Sequence, residues 1–477
     1  MMLLAFILVY LHIFIGRSYC ITIGLPQFES DWLYIKAQSN VSDILVQHNI
    51  GTVPGLVEVL VKAVDGPNKD FIFKALGNGE RDDDSSEMYG GIIYIYNEVN
   101  VRIMAPNKVN HGDQGAAIYT GESPYWRGIN YQISFEAEVK VRCWEPTALP
   151  TPCFNVTDHL MIAGSPNISE TYAEFSHGLN TYPMLVKVRG KLLDGSDPGW
   201  YTDAQGSALY SIANMRKAAR SGGLKYAYDD NTIRVWTSSV SLPDGVLFTR
   251  NDGWGHDSFR YDKSTQGLIQ VLAWCDLSLS FQKTLTFGPS YFGEELQIAL
   301  PYYFLDTSMF LTSAMIEATD GANSGYLFEG VGSAMTNSQR PGTPCGYGGL
   351  VYAYNGTILR IWRPDDVKGA AICIPDSMAL GTNSQASQSG KLIFRAFQTH
   401  EQVSTSTFFR LLGNNAAYND TLIGTQHVAS LLSCARKCLQ HNTCITYMYS
   451  DNTCNMYNTK NESLIFLKDK SAVWGLV

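Results

Sequence analysis

Short apolar runs rich in β-branched residues, closed by glycine-containing turns, recur along this chain. Leu56-Val57-Glu58-Val59-Leu60-Val61-Lys62-Ala63-Val64, ending in Asp65-Gly66, predicts a β-branched strand running into a turn. His48, Thr52, Pro54, Lys62 and Asp65-Gly66 return, all displaced by 129 positions, with Leu185-Val186-Lys187-Val188 as the start of the strand before Asp194-Gly195. A looser copy runs from Met309 to Ala318 and ends in Asp320-Gly321. The best-kept phrase is Gly348-Gly349-Leu350-Val351-Tyr352-Ala353-Tyr354, closing on Arg360-Ile361-Trp362. Its relatives are Gly222-Gly223-Leu224-Lys225-Tyr226-Ala227-Tyr228 with Arg234-Val235-Trp236, and Gly90-Gly91-Ile92-Ile93-Tyr94-Ile95-Tyr96 with Arg102-Ile103-Met104. In all three the first tyrosine precedes the arginine by eight residues, and self-similarity of this kind marks a repeat architecture.

Each copy ends on a further strand carrying an aromatic, at Trp144, Trp274 and Phe397. The pattern predicts a mainly all-β fold of three tandem β-sandwich-like repeats, at residues 36–150, 165–276 and 290–400, each the size of one sandwich domain. The third is expected to borrow its first strands from residues 277–306, and Pro146, Pro150 and Pro152 mark a linker over 145–164. Parity splits the phrase at 348–362 into two faces. Tyr352 and Tyr354 share one with Leu359 and Ile361 across an Asn355-Gly356 turn, while Val351, Ala353, Arg360 and Trp362 share the other. The first face reads as core, which leaves the Arg/Trp face as the one free for function.

From about residue 425 the periodicity becomes helical: Val428 to His441 carries an apolar stripe with Cys434 and Cys438 on one face. Two strand-like runs follow, through Cys444 to Tyr449 and around Cys454. This arrangement over residues 425–477 resembles a PAN/apple domain, a small disulfide-stapled α+β module. The resemblance implies Cys434–Cys454 and Cys438–Cys444 pairings, the minimal form of the module, and binding of proteins or carbohydrates without catalysis. Zinc is disfavoured, because the Cys-x3-Cys and Cys-x9-Cys spacings are not those of zinc knuckles.

Residues 1–20 read as a signal peptide, since the apolar run is too short to span a bilayer; cleavage after Ser18 or after Cys20 both fit. No second run of spanning length follows, so the mature protein is expected to be secreted and extracellular, with its cysteines mostly in disulfide bonds. Cys143–Cys153 and Cys345–Cys373 are the short-loop pairs, which leaves Cys275 for a disulfide-linked oligomer unless cleavage spares Cys20. Asn40, Asn155, Asn167, Asn355, Asn419 and Asn461 each begin an N-glycosylation acceptor sequence. A net charge of −9 without any Lys/Arg block makes nucleic acid a poor partner.

Three features are candidate sites. Arg234 with Trp236 and Arg360 with Trp362, together with Arg102, are candidates for a cation–π face on which sugar rings stack; the competing reading places the tryptophans in a second core layer. Asp82-Asp83-Asp84 with Glu80 and Glu87 is acidic enough for a Ca²⁺ loop but lacks the spaced-ligand pattern, and no other cofactor is implied. His48 and His177 precede strands and suit turn stabilisation. No hydrolase, P-loop or dinucleotide signature is present. The expected function is non-catalytic, lectin-like recognition of glycans or glycoproteins in adhesion or innate immunity. The alternatives are an adhesive matrix component with the repeats as spacers, and a secreted glycan-processing enzyme.

Overall fold

A computed structural model describes residues 22–400, except 81–87, 108–114, 209–220, 240–244, 250–252, 256–262, 289–295, 302–303, 305, 335–344, 346 and 366–368, together with the backbone of seven strands between residues 409 and 476. The leader therefore lies outside the described residues. The chain divides into two units, residues 1–400 and 401–477.

The first unit is all-β, and its three main sheets share the repeats in a cycle. The central strands Leu56–Ala63, Leu185–Leu192 and Phe310–Glu317 each pair on one side with the closing strand of their own repeat: Glu136–Trp144, Gln266–Trp274 and Gly390–His400. On the other side each pairs with a short strand, Ile72–Lys74, Tyr201–Asp203 or Leu327–Glu329. There each repeat stops contributing. The next position in each sheet is taken by the Gly-Gly hairpin of the preceding repeat: Ile93–Tyr96 beside Tyr201, Lys225–Tyr228 beside Leu327 and Phe328, and Val351–Tyr354 beside Ile72. Repeat 1 thus completes the sheet of repeat 2, repeat 2 that of repeat 3, and repeat 3 that of repeat 1.

The stretches 36–150, 165–276 and 290–400 consequently follow the repeated wording without being three separate bodies. The physical reason is edge pairing. A short strand of three residues leaves its far edge open, and the neighbouring hairpin satisfies those backbone groups.

Glycines make the close approach possible. A Cβ on Gly77 would lie 1.9 Å from the carbonyl oxygen of Asp203, one on Gly206 2.0 Å from the amide nitrogen of Glu329, and one on Gly332 1.6 Å from the carbonyl oxygen of Lys74. These contacts run in the same cyclic order. Gly77→Ala, Gly206→Ala and Gly332→Ala should each destabilise the whole unit, by about 1–3 kcal/mol or more. Thermal unfolding of the three variants checks this, with similar losses expected at all three positions.

The Asp-Gly turns are built alike. Gly66, Gly195 and Gly321 adopt φ of 69°, 82° and 71°. The preceding aspartates accept hydrogen bonds from Ser134 (2.6 Å), Ser264 (2.6 Å) and Ser387 (2.5 Å), which lie just before each closing strand. The recurrent aspartate is turn chemistry.

In the second unit the strands Phe409–Asn414, Ala472–Leu476, Thr446–Ser450, Thr453–Tyr457 and Leu422–His427 form one antiparallel sheet, with Ala416–Tyr418 and Leu464–Phe466 as a separate pair.

Candidate functional site: a charged central cavity

Where the three repeats meet, equivalent positions converge. Leu56, Leu185 and Leu311 lie opposite Trp144, Trp274 and Phe397 in register and form one apolar cluster with them. Two residues further along the same strands stand Glu58, Lys187 and Ser313, and on the short strands stand Lys74, Asp203 and Glu329. Glu58, Lys74, Lys187, Asp203 and Glu329, with Tyr94, line a cavity of about 50 Å³.

The charges there are paired, within repeat 1 at Glu58 and across repeats at Asp203 and Glu329. Glu58 binds Lys74 at 2.8 Å and Arg142 at 3.0 Å. Burial alone would push the Glu58 carboxyl up, but Lys74 and Arg142 outweigh it and hold it below the usual range. Asp203 accepts from the hydroxyls of Tyr94 (2.7 Å) and Tyr96 (2.9 Å), which belong to the incoming hairpin. Glu329 accepts from Tyr226 (2.9 Å) of the next hairpin and faces Lys187 at 3.5 Å. Burial, reinforced by these carboxylates, pushes Tyr94, Tyr96 and Tyr226 well up, so all three are hydrogen-bond donors at neutral pH. In the third sector Lys74 replaces the carboxylate, and the hydroxyls of Tyr352 and Tyr354 make no hydrogen bond among the described residues.

The cavity has room for a few waters or a guest of that size, whereas sites for drug-sized ligands run to about 300–1,000 Å³. Its carboxylates are held by tyrosines, lysines and an arginine, an arrangement suited to fixing the hairpins rather than to stacking a sugar ring. One sequence signal does point to it: each copy carries a charged residue three positions before its loop glycine, Lys74 before Gly77, Asp203 before Gly206 and Glu329 before Gly332.

The Arg/Trp face is not exposed. Trp236 and Trp362 are fully buried, as is Met104 at the matching position of repeat 1. Val351, Ala353 and Trp362 pack in one core cluster, and Tyr352, Tyr354, Leu359 and Ile361 in another. The parity is as read from the sequence, but both faces are covered because the hairpin is inserted into a neighbour's sheet.

The arginines stack on rings other than the tryptophans. Arg360 lies 4.2 Å from the Phe71 ring and donates to Pro67 O and Asn68 Oδ1. Arg234 lies 4.0 Å from the Tyr326 ring and donates to Ala322 O and Asn323 Oδ1. Both clamp a hairpin to the Asp-Gly turn of the next repeat. Arg102 pairs with Asp43 at 2.6 Å.

Cys153 is bonded to Cys275, with Cα atoms 6.0 Å apart, and Cys345 to Cys373. The Cys143–Cys153 pairing is therefore corrected. Cys143 faces the core in line with Val139 and Val141, and burial pushes its thiol up to about 12. Phe154 lies opposite Ala273, which carries Cys153 to Cys275 just beyond Trp274. A disulfide-linked oligomer through Cys275 is corrected for the same reason, since that sulfur is bonded within the chain.

Asp82, Asp83 and Asp84 lie outside the described residues, as do Glu87, Asn419, Asn461, Cys434, Cys438, Cys444 and the predicted helix; the backbone of Cys454 is described within Thr453–Tyr457. No group able to hold a metal ion is present among the described residues.

His48 takes the Ile50 amide on Nδ1 and places Nε2 3.0 Å from Asn97 O, a turn-stabilising role. His177 takes the Leu179 amide likewise. Burial holds His159 and His177 below the usual imidazole range, and neither Nε2 has a hydrogen-bond partner among the described residues. Their folded-state values lie below the unfolded value of about 6.5, so the fold favours the neutral rings. The stability this gives is present above pH ~6.5 and is lost as pH falls from there through the folded values. Melting temperature should drop between pH 7.5 and pH 5.5, and a His159→Gln/His177→Gln variant should lose most of that slope.

Residues 417–471 match the PAN-like domain family. A search of curated proteins finds no match for the chain. The chain thus carries a PAN-like domain at its C-terminal end, a module for extracellular interaction with proteins or carbohydrates. The domain and the two disulfides are consistent with an extracellular protein. Among the described residues no helix is long and apolar enough to cross a membrane.

Proposed function

We propose that this chain is a secreted, glycosylated binding protein with no catalytic activity of its own, recognising glycans or glycoproteins. The PAN-like match at residues 417–471 carries the reading, and the apolar leader, the glycan acceptor sequences and the disulfides support it. A glycan array probed with the full secreted chain, with and without EDTA, tests it. Binding to a defined set of glycans is expected, and an array blank at all concentrations rejects glycan recognition.

The burial of Trp236 and Trp362 favours a second reading, in which the repeated unit is a rigid adhesive scaffold and partners are met through the PAN-like module. A blank array together with capture of extracellular proteins, abolished by Cys434→Ser/Cys454→Ser, selects that reading.

A further inference from the structure

The three sheets have free ends, and the glycan acceptor asparagines of the first unit fall on them. In the sheet of repeat 2 the terminal strands are Asp43–Gln47 and Phe154–Ile162. Asn40 lies in the turn three residues before the first, and Asn155 lies on the second; both are exposed. In the sheet of repeat 3 one terminal strand is Tyr172–Ser176, and Asn167 caps the single helical turn, Ile168–Thr171, that leads directly into it. In the sheet of repeat 1 Gln297–Ala299 is terminal, and Asn355 sits beside its end: Ala299 is opposite Ile358, and the Leu300 amide donates to Thr357 O at 2.7 Å.

The remaining terminal strands have other protection. Ile23–Gly24 and Phe28–Glu29 are two residues long, Trp126–Gly128 is three and Leu33–Lys36 is four. Phe281–Phe287 is longer but carries an exposed Lys283 next to its central residue. Shortness and an edge lysine are the devices by which sheet proteins resist strand addition. Asp43–Gln47 and Tyr172–Ser176, at 5 residues each, and Phe154–Ile162, at 9, are longer and carry no lysine: Asp43–Gln47 exposes Leu45 at 61%, and Phe154–Ile162 exposes Leu160 at 44%, whereas Gln297–Ala299 is as short as Trp126–Gly128.

We propose that N-linked glycans on Asn40, Asn155, Asn167 and Asn355 shield these four free edges against pairing with a second copy of the chain. The inference rests on the glycosylated reading above. An oligosaccharyl group is transferred from a diphosphate-linked donor: the bond from sugar C1 to the phosphate oxygen breaks, an Nδ2–C1 bond forms, Nδ2 loses a proton, and the diphosphate carrier leaves. At two sites the third residue of the acceptor sequence donates to the asparagine Oδ1, Ser169 Oγ at 3.0 Å and Thr357 Oγ1 at 3.1 Å. Nδ2 of both asparagines makes no hydrogen bond among the described residues.

The test uses the full secreted chain. Site-resolved mass spectrometry should find glycan on all four asparagines; bare asparagines overturn the glycosylated reading. The variant Ser42→Ala/Thr157→Ala/Ser169→Ala/Thr357→Ala keeps the asparagines and removes the acceptor sequences. Its monomer should melt within a few degrees of the parent, while its soluble aggregate on heating or storage rises several-fold by light scattering. Thr421→Ala/Ser463→Ala, which removes the acceptors at Asn419 and Asn461, should leave aggregation unchanged. Adding Leu45→Lys and Leu160→Lys to the quadruple variant should restore much of the monomer without any glycan. A glycan-free variant that stays monomeric, or one that the lysines fail to rescue, overturns edge shielding while leaving the glycosylation itself intact.

Discussion

Replacing Trp362 with alanine should destabilise the whole of residues 22–400 by about 3–5 kcal/mol, in a single transition. The ring belongs to repeat 3, yet it stacks on Phe73 at 5.8 Å and donates to Ile129 O at 2.9 Å, both in repeat 1. Its removal leaves a cavity at the junction of two repeats and an unpaired carbonyl. Trp236→Ala should behave alike, because its ring stacks on Phe328 at 6.4 Å and donates to Thr382 O at 2.9 Å, both in repeat 3. Each repeat completes another's sheet, so the loss cannot stay local. Denaturant unfolding followed by tryptophan fluorescence and by circular dichroism measures the effect. Two or three separated transitions would mean that the repeats fold independently.

The second large effect is expected at Lys225. Its ammonium and the Glu80 carboxylate are both fully buried and form an ion pair, with Gln205 Oε1 2.9 Å from the ammonium. The matching residues of the other hairpins are Ile93 and Val351, both buried and apolar. The position therefore needs no charge, and burial pulls Lys225 below its usual range despite Glu80. Lys225→Met alone should cost about 3–5 kcal/mol, because it leaves a buried carboxylate without its lysine. Lys225→Met/Glu80→Leu should recover most of that loss and even exceed the parent, since well-packed apolar replacements of buried ion pairs are often neutral or stabilising by about 1–4 kcal/mol. Urea midpoints of the two variants give the comparison directly, and a double variant as unstable as the single one would contradict it.

Much of the fold was legible because repetition puts the same physical demand three times into one chain. Asp-Gly turns, central strands and Tyr-x-Tyr hairpins all stand where the wording placed them. The partner of each hairpin was not legible. Parity shows which residues share a face, but it does not say which strand lies alongside, and the wording around Tyr201, Leu327 and Ile72 names no partner. That gap left two readings of the Arg/Trp face open, and the inserted hairpin puts Trp236 and Trp362 in the core, as the competing reading had them. The Cys153–Cys275 bond was hidden for the same reason, as it depends on a register set 122 residues apart. In the C-terminal module, by contrast, cysteine spacing and the switch from helical to strand period sufficed, because that signal is local and residues 417–471 match the family.

The central claim, a closed cycle of exchanged hairpins, is tested most directly by hydrogen exchange in the Trp362→Ala chain, read by mass spectrometry on the peptides that contain Leu56–Ala63, Leu185–Leu192 and Phe310–Glu317. The cycle predicts that all three central strands lose protection together, including Leu56–Ala63 in a repeat that does not carry the substitution. Loss of protection confined to Phe310–Glu317, with Leu56–Ala63 as protected as in the parent chain, would contradict it.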